Sequence, residues 1–145
     1  MSRWSRRVAT IVAVAVVAAG SGAGAQGQHS LQGTWQVLAA QRNARIASDL
    51  QNHRLTFSGD RFAIRSQGKT IYEGRYTIDP SQKPATIDFT HTAGKAKGQS
   101  WLGIYEVTGD TLKVCDNAAD VAKPRPTAFA SEAGQVLIDF KRAKP

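Results

Sequence analysis

The 145-residue sequence predicts an all-β protein: an up-and-down antiparallel β-barrel of eight or nine strands, with one short helix after the first strand. Three observations predict it. Short stretches alternate between apolar and polar residues, the signature of half-buried strands. Gly, Pro and Asp clusters punctuate them at hairpin spacing. The connections are too short for the crossovers of a two-sheet sandwich, and a meander that closes on itself leaves no exposed edge.

The chain opens MSRWSRR, basic through Arg3, Arg6 and Arg7, then runs apolar from Val8 to Ala19 and reaches Ala23-Gly24-Ala25. A basic start, a short apolar run and an A-x-A site compose a secretory signal peptide, expected over residues 1–25. The apolar run is shorter than the roughly 20 residues of a membrane-spanning helix, so no stable membrane insertion is expected after cleavage near Ala25. Ser5-Arg6-Arg7 resembles a twin-arginine start, but Ala9 and Thr10 replace the apolar residues usual behind it. The expected location is periplasmic or secreted. Residues 26–30 read as a flexible lead, 31–142 as the barrel and 143–145 as a tail. Removing the signal lowers the net charge from +8 to +5, spread without a basic cluster, which argues against nucleic acid as a partner.

The elements follow in order. "GTWQVLAAQR" sets Trp35, Val37 and Ala39 on one face. "ARIASDLQNH", residues 44–53, is the helical candidate, with Ile46 and Leu50 four apart. "HRLTFSGDRFAIRS" is a hairpin turning at residues 58–61, and "KTIYEGRYTID" aligns Tyr72, Gly74, Tyr76 and Ile78. Pro80 and Pro84 separate it from "ATIDFTH", where Ile87 and Phe89 share a side. "SWLGIYEVTGDTLKVCD" is a second hairpin, apolar on both sides of its first strand, so that strand belongs under the helix or at a contact surface. "PTAFAS" and "QVLIDFKR" are expected as a last strand pair.

Gly33-Thr34-Trp35 at the start of the first strand resembles the G-x-W of lipocalins and the wider calycin barrels. That resemblance implies that Trp35 plugs one end while Arg142, near the C-terminus, packs over its ring. The ordered fragments "LQGTW", "LTFSGDRF", "EGRYTIDP", "ATIDFT", "LGIYEVTGDTLKVC" and "RPTAF" are similar to a planctomycete-type bacterial domain family of unknown function regarded as lipocalin-like. The resemblance covers residues 31–142 and implies a fold and an organism group; it brings no catalytic residues.

Catalytic chemistry finds little footing. His29, His53 and His91 lack zinc spacing, and each is expected at the surface or hydrogen-bonded, so no metal or cofactor is expected. Cys115 is the lone cysteine and reads as a buried, inert thiol on the strand face opposite Asp116. Asp60 and Asp110 read as turn residues, and Glu73 with Arg75 as a solvent-facing ion pair. No nucleophile elbow or phosphate loop is present, and a non-enzymatic protein is expected. Phe57, Phe62, Tyr72, Tyr76 and Phe89 fall on interior parities and are the candidate ligand-binding set. Two readings stay open. The barrel binds a small hydrophobic or amphipathic ligand between these aromatics, or it has a solid core and holds an envelope protein through loops such as "AGKAKGQS" and "NAADVAKPRP", as a peptidase inhibitor would.

Overall fold

The computed structural model describes residues 30–144, so the expected signal peptide, most of the lead and Pro145 of the tail lie outside the described residues. Nine strands form a single antiparallel sheet: β1 (Gly33–Arg42), β2 (Arg45–Ile46), β3 (His53–Ser58), β4 (Arg61–Ser66), β5 (Lys69–Asp79), β6 (Ala85–Gly94), β7 (Ser100–Thr108), β8 (Thr111–Asp116) and β9 (Val136–Arg142). Each strand from β3 onward pairs with the next, β1 pairs with β3, and β9 returns to pair with β1 from Trp35↔Arg142 to Arg42↔Val136. Eight strands therefore close into an up-and-down barrel, with β2 as a two-residue spur on the end of β1. Closure leaves no free edge among the eight.

Two-residue turns at Gly59-Asp60, Gln67-Gly68 and Gly109-Asp110 join three of the hairpins. Gly59, Gly68 and Gly109 all sit at positive φ, the geometry that matches the twist of paired strands. Alternation then sends Trp35, Leu55, Phe57, Phe62, Tyr76, Phe89, Trp101, Tyr105, Leu112, Val114 and Phe140 inward, all buried. Each such apolar side chain removed from water contributes about 1.5–3 kcal/mol.

Several elements depart from the sequence reading. A bulge between Val37 and Ala39 adds one residue to β1, so Ala40 rather than Ala39 continues the inward face. The helix expected over residues 44–53 is absent. Asn43 and Ala44 turn at positive φ, β2 pairs back onto β1, and only a 3-10 turn at Ser48–Leu50 follows, with Ile46 85% exposed. "PTAFAS" forms no strand: residues 117–135 run as a strap over the outer face of β6–β8. Arg125 Nη1 donates to Asp88 Oδ1 (2.6 Å) and to the Gly103 carbonyl (2.8 Å), and the Cys115 thiol donates to the Ala130 carbonyl (3.3 Å). That cover explains why "SWLGIYEV" is apolar on both sides: Trp101 and Tyr105 fill the barrel, while Ile104 is buried on the outside. Glu73 and Arg75 are exposed but do not pair; Arg75 reaches Asp60 at 3.9 Å instead.

Candidate functional site

The two ends of the barrel differ. At the end where β1 begins, Trp35 is fully buried and its Nε1 donates to the Leu31 carbonyl at 2.8 Å. The Arg142 guanidinium carbon lies 4.2 Å from the Trp35 ring centroid, and its nitrogens donate to the carbonyls of Gln32 and Ser30. A Cβ on Gly33 would come 3.3 Å from Arg142 Nη1, and Gly33 adopts φ +112°, so glycine admits the guanidinium here. Gln32 bridges Gly59 and the Tyr76 hydroxyl, and Tyr76 in turn donates to the Gly59 carbonyl. Phe57 packs edge-on to Tyr76 at 4.6 Å, and Phe62 edge-on to Phe89 at 5.0 Å. Three of the five candidate aromatics, Phe57, Phe62 and Tyr76, thus belong to a filled, plugged half.

The other end is open. Where β1, β6 and β8 finish and β3, β7 and β9 start, a cavity of about 220 Å³ enters the barrel. Val37, Leu55, Val114, Val136, Ile138 and Phe140 supply its aliphatic and aromatic floor. Tyr72 and Phe89, the other two candidates, line it together with Trp101, whose ring meets Tyr72 edge-on at 5.0 Å. Arg42, His53 and Arg54 stand in its lining as well. The Arg42 guanidinium is committed to Asp49, at 3.0 and 3.3 Å, and holds that carboxyl below its ordinary range. Arg54 Nε donates to Gln36 Oε1 at 2.9 Å. Burial lowers the pKa of His53.

Two polar side chains inside the barrel stand out. Asp116, the last residue of β8, lines the cavity and is 6% exposed. Burial pushes its pKa from 3.8 up to about 7, despite a hydrogen bond from the Ala118 amide. His91 is 2% exposed, contrary to its expected surface or hydrogen-bonded place. Neither ring nitrogen has a hydrogen-bond partner among the described residues, and the ring lies among Phe62, Tyr72 and Trp101, with centroids 4.1–5.6 Å away. Burial holds it neutral, with a pKa of about 4. Cys115 is fully buried under the strap, on the opposite face of β8 from Asp116, and its pKa rises to about 11. Among the described residues, no three His, Cys, Asp or Glu side chains gather as a metal site.

Trp101 and Asp116 were not among the sequence candidates, yet the pattern held both. Trp101 shares parity with Tyr105, and Asp116 shares it with Leu112 and Val114; a carboxyl on an apolar parity marks a polar group turned inward.

The fold and this site define a closed, eight-stranded antiparallel barrel, plugged at one end and hollow at the other. No protein-family model matches the chain, and no curated protein or solved structure matches it significantly.

Proposed function

We propose that this protein is an exported, non-enzymatic, lipocalin-like barrel of the planctomycete-type bacterial family, and that it binds a small hydrophobic or amphipathic molecule at its open end. The observation that carries the reading is the cavity of about 220 Å³, with Tyr72, Phe89 and Trp101 in its wall and a polar rim. Apolar enclosure with a few placed polar groups is how small-molecule sites are built. The volume sits below the range of drug-sized sites, which limits the cargo to a compact molecule.

Native mass spectrometry of the protein purified gently from its own host tests this. The expected spectrum carries a stoichiometric small-molecule adduct, which Val136→Trp abolishes by filling the cavity. A bare mass, together with no binding of neutral aromatic probes, would overturn the reading in favour of a protein-holding module.

A further inference from the structure

Asp116 is a carboxyl without a cationic partner among the described residues. Its Oδ1 accepts the Ala118 amide at 3.0 Å, and its second oxygen has no hydrogen-bond or ion-pair partner among the described residues. Unlike the nitrogens of His91, that oxygen is not sealed from its surroundings, and Asp116 is among the residues that line the cavity. Gly103, directly opposite on β7, makes the placement possible: a Cβ there would come 2.9 Å from Asp116 Cβ. The other ionisable groups of the lining do not serve it. Arg42 is held by Asp49, Arg54 by Gln36, and no bond joins His53 or the Tyr72 hydroxyl to Asp116.

A buried carboxyl with an open oxygen costs free energy unless something supplies a donor or a positive charge. The surrounding walls suit a cation too, because ring faces attract ammonium groups when water is excluded. An apolar cavity of roughly 150 Å³ accommodates benzene. The 220 Å³ here leaves room for one ring and a short arm.

Resting on the reading of the open end as a small-molecule site, we propose that its ligand is a small aromatic amine. The ammonium group sits against the free oxygen of Asp116, and the ring lies among Tyr72, Phe89 and Trp101. The amine stays protonated to about pH 10, whereas the carboxyl of the empty barrel is half-protonated near neutrality. Binding therefore ionises Asp116, releases a proton below about pH 7 and tightens as pH rises.

Isothermal titration with phenethylamine, 2-phenylethanol and 3-phenylpropionate tests the assignment. Phenethylamine is expected to bind one to one at pH 8.5, and at least about tenfold more weakly at pH 5.5. Asp116→Asn, which keeps an acceptor for the Ala118 amide, is expected to weaken phenethylamine about tenfold or more at pH 8.5 and to leave 2-phenylethanol unchanged. The pH dependence is expected to vanish in that variant. If it survives, His53 is its source and the assignment to Asp116 is overturned. Should the variant fail to fold, the ranking of probes on the natural protein decides. Tighter binding of 2-phenylethanol or 3-phenylpropionate than of phenethylamine overturns the amine but leaves the binding site standing. Binding of none of the three overturns the amine, and with a bare native mass it overturns the binding reading as well.

Discussion

The guanidinium of Arg142 lies over the indole of Trp35, 4.2 Å from ring centroid to Arg142 Cζ, and ties the segment before β1 to the end of β9 through the carbonyls of Ser30 and Gln32. The contact joins positions 107 residues apart, at the seam where the barrel closes. Charge-assisted hydrogen bonds are worth about 1.5–3 kcal/mol each, and the cation–π contact adds about 0.5–2 kcal/mol. Because Arg142 is partly exposed, the lower ends apply. Arg142→Ala is expected to lower unfolding free energy by about 3–4 kcal/mol in urea titration, and Arg142→Lys by about half as much, since an ammonium cannot span both carbonyls. Equal stability of all three proteins would remove the seam from the account of the fold.

His91 and Asp116 make opposite demands on pH. The pKa of His91 falls from 6.5 to about 4 on folding, so its contribution is fully present above pH 6.5 and is lost as pH drops toward 4. The pKa of Asp116 rises from 3.8 to about 7, so its protonated form favours folding; that contribution is present below pH 3.8 and is lost as pH climbs toward 7. Each slope approaches about 1.4 kcal/mol per pH unit within its window, with opposite sign. In the natural protein they nearly cancel between about pH 4 and 6.5. Asp116→Asn is expected to expose the His91 slope, stability falling with acid. His91→Phe is expected to expose the Asp116 slope, stability rising with acid. Chemical denaturation of the three proteins at pH 4.5, 5.5 and 6.5 reads both, and identical profiles would contradict the buried placement of these groups.

What the sequence disclosed follows from the range of the interactions. Period-two alternation and the turn glycines are local, so the strands around 58–61 and 108–111 and the inward aromatics could be read directly. Ile46 and Leu50 mimic a helical face, but the positive-φ turn at Asn43-Ala44 and the pairing of Arg45 with Arg42 outweigh so short a pattern. The bulge in β1 was invisible because Leu38, Ala39 and Ala40 are all apolar and give no parity to lose. The strap at 117–135 has no period of its own; it is fixed by Arg125 reaching Asp88, 37 residues away in sequence. The candidate aromatics were legible as a set, but their division between a plugged half and a hollow half was not. That division depends on Ser30–Gln32 filling one end while, among the described residues, no equivalent segment fills the other, a property of closure rather than of any strand.

The strap makes the Cys115 thiol a reporter. It is fully buried beneath Ala130, with its pKa raised to about 11, so both access and ionisation oppose reaction. The natural protein is expected to react with a disulfide reagent at pH 8 only as fast as the strap opens. Arg125→Ala removes the contacts to Asp88 and Gly103 and is expected to speed labelling at least tenfold, with a loss of about 1–2 kcal/mol in global stability. Rapid labelling of the natural protein would show that the strap does not cover β8 in solution.

Tyr72 and Tyr76 share a parity on β5 and look equivalent in the sequence, yet they face different halves of the barrel. Tyr76 is 3% exposed, its hydroxyl donates to the Gly59 carbonyl at 2.8 Å and accepts from Gln32, and it helps seal the plugged end. Tyr76→Phe is therefore expected to cost about 1 kcal/mol of stability and to leave probe binding unchanged. Tyr72 is half-buried in the cavity wall, edge-on to Trp101. Tyr72→Ala is expected to change affinity for a neutral aromatic probe at least about fivefold, because it removes one wall of the ligand's enclosure rather than a plug. Urea titration and probe titration of both variants separate the two roles. If Tyr76→Phe alters binding and Tyr72→Ala alters only stability, the ligand space lies at the end sealed by Trp35, and the open-end site is wrong.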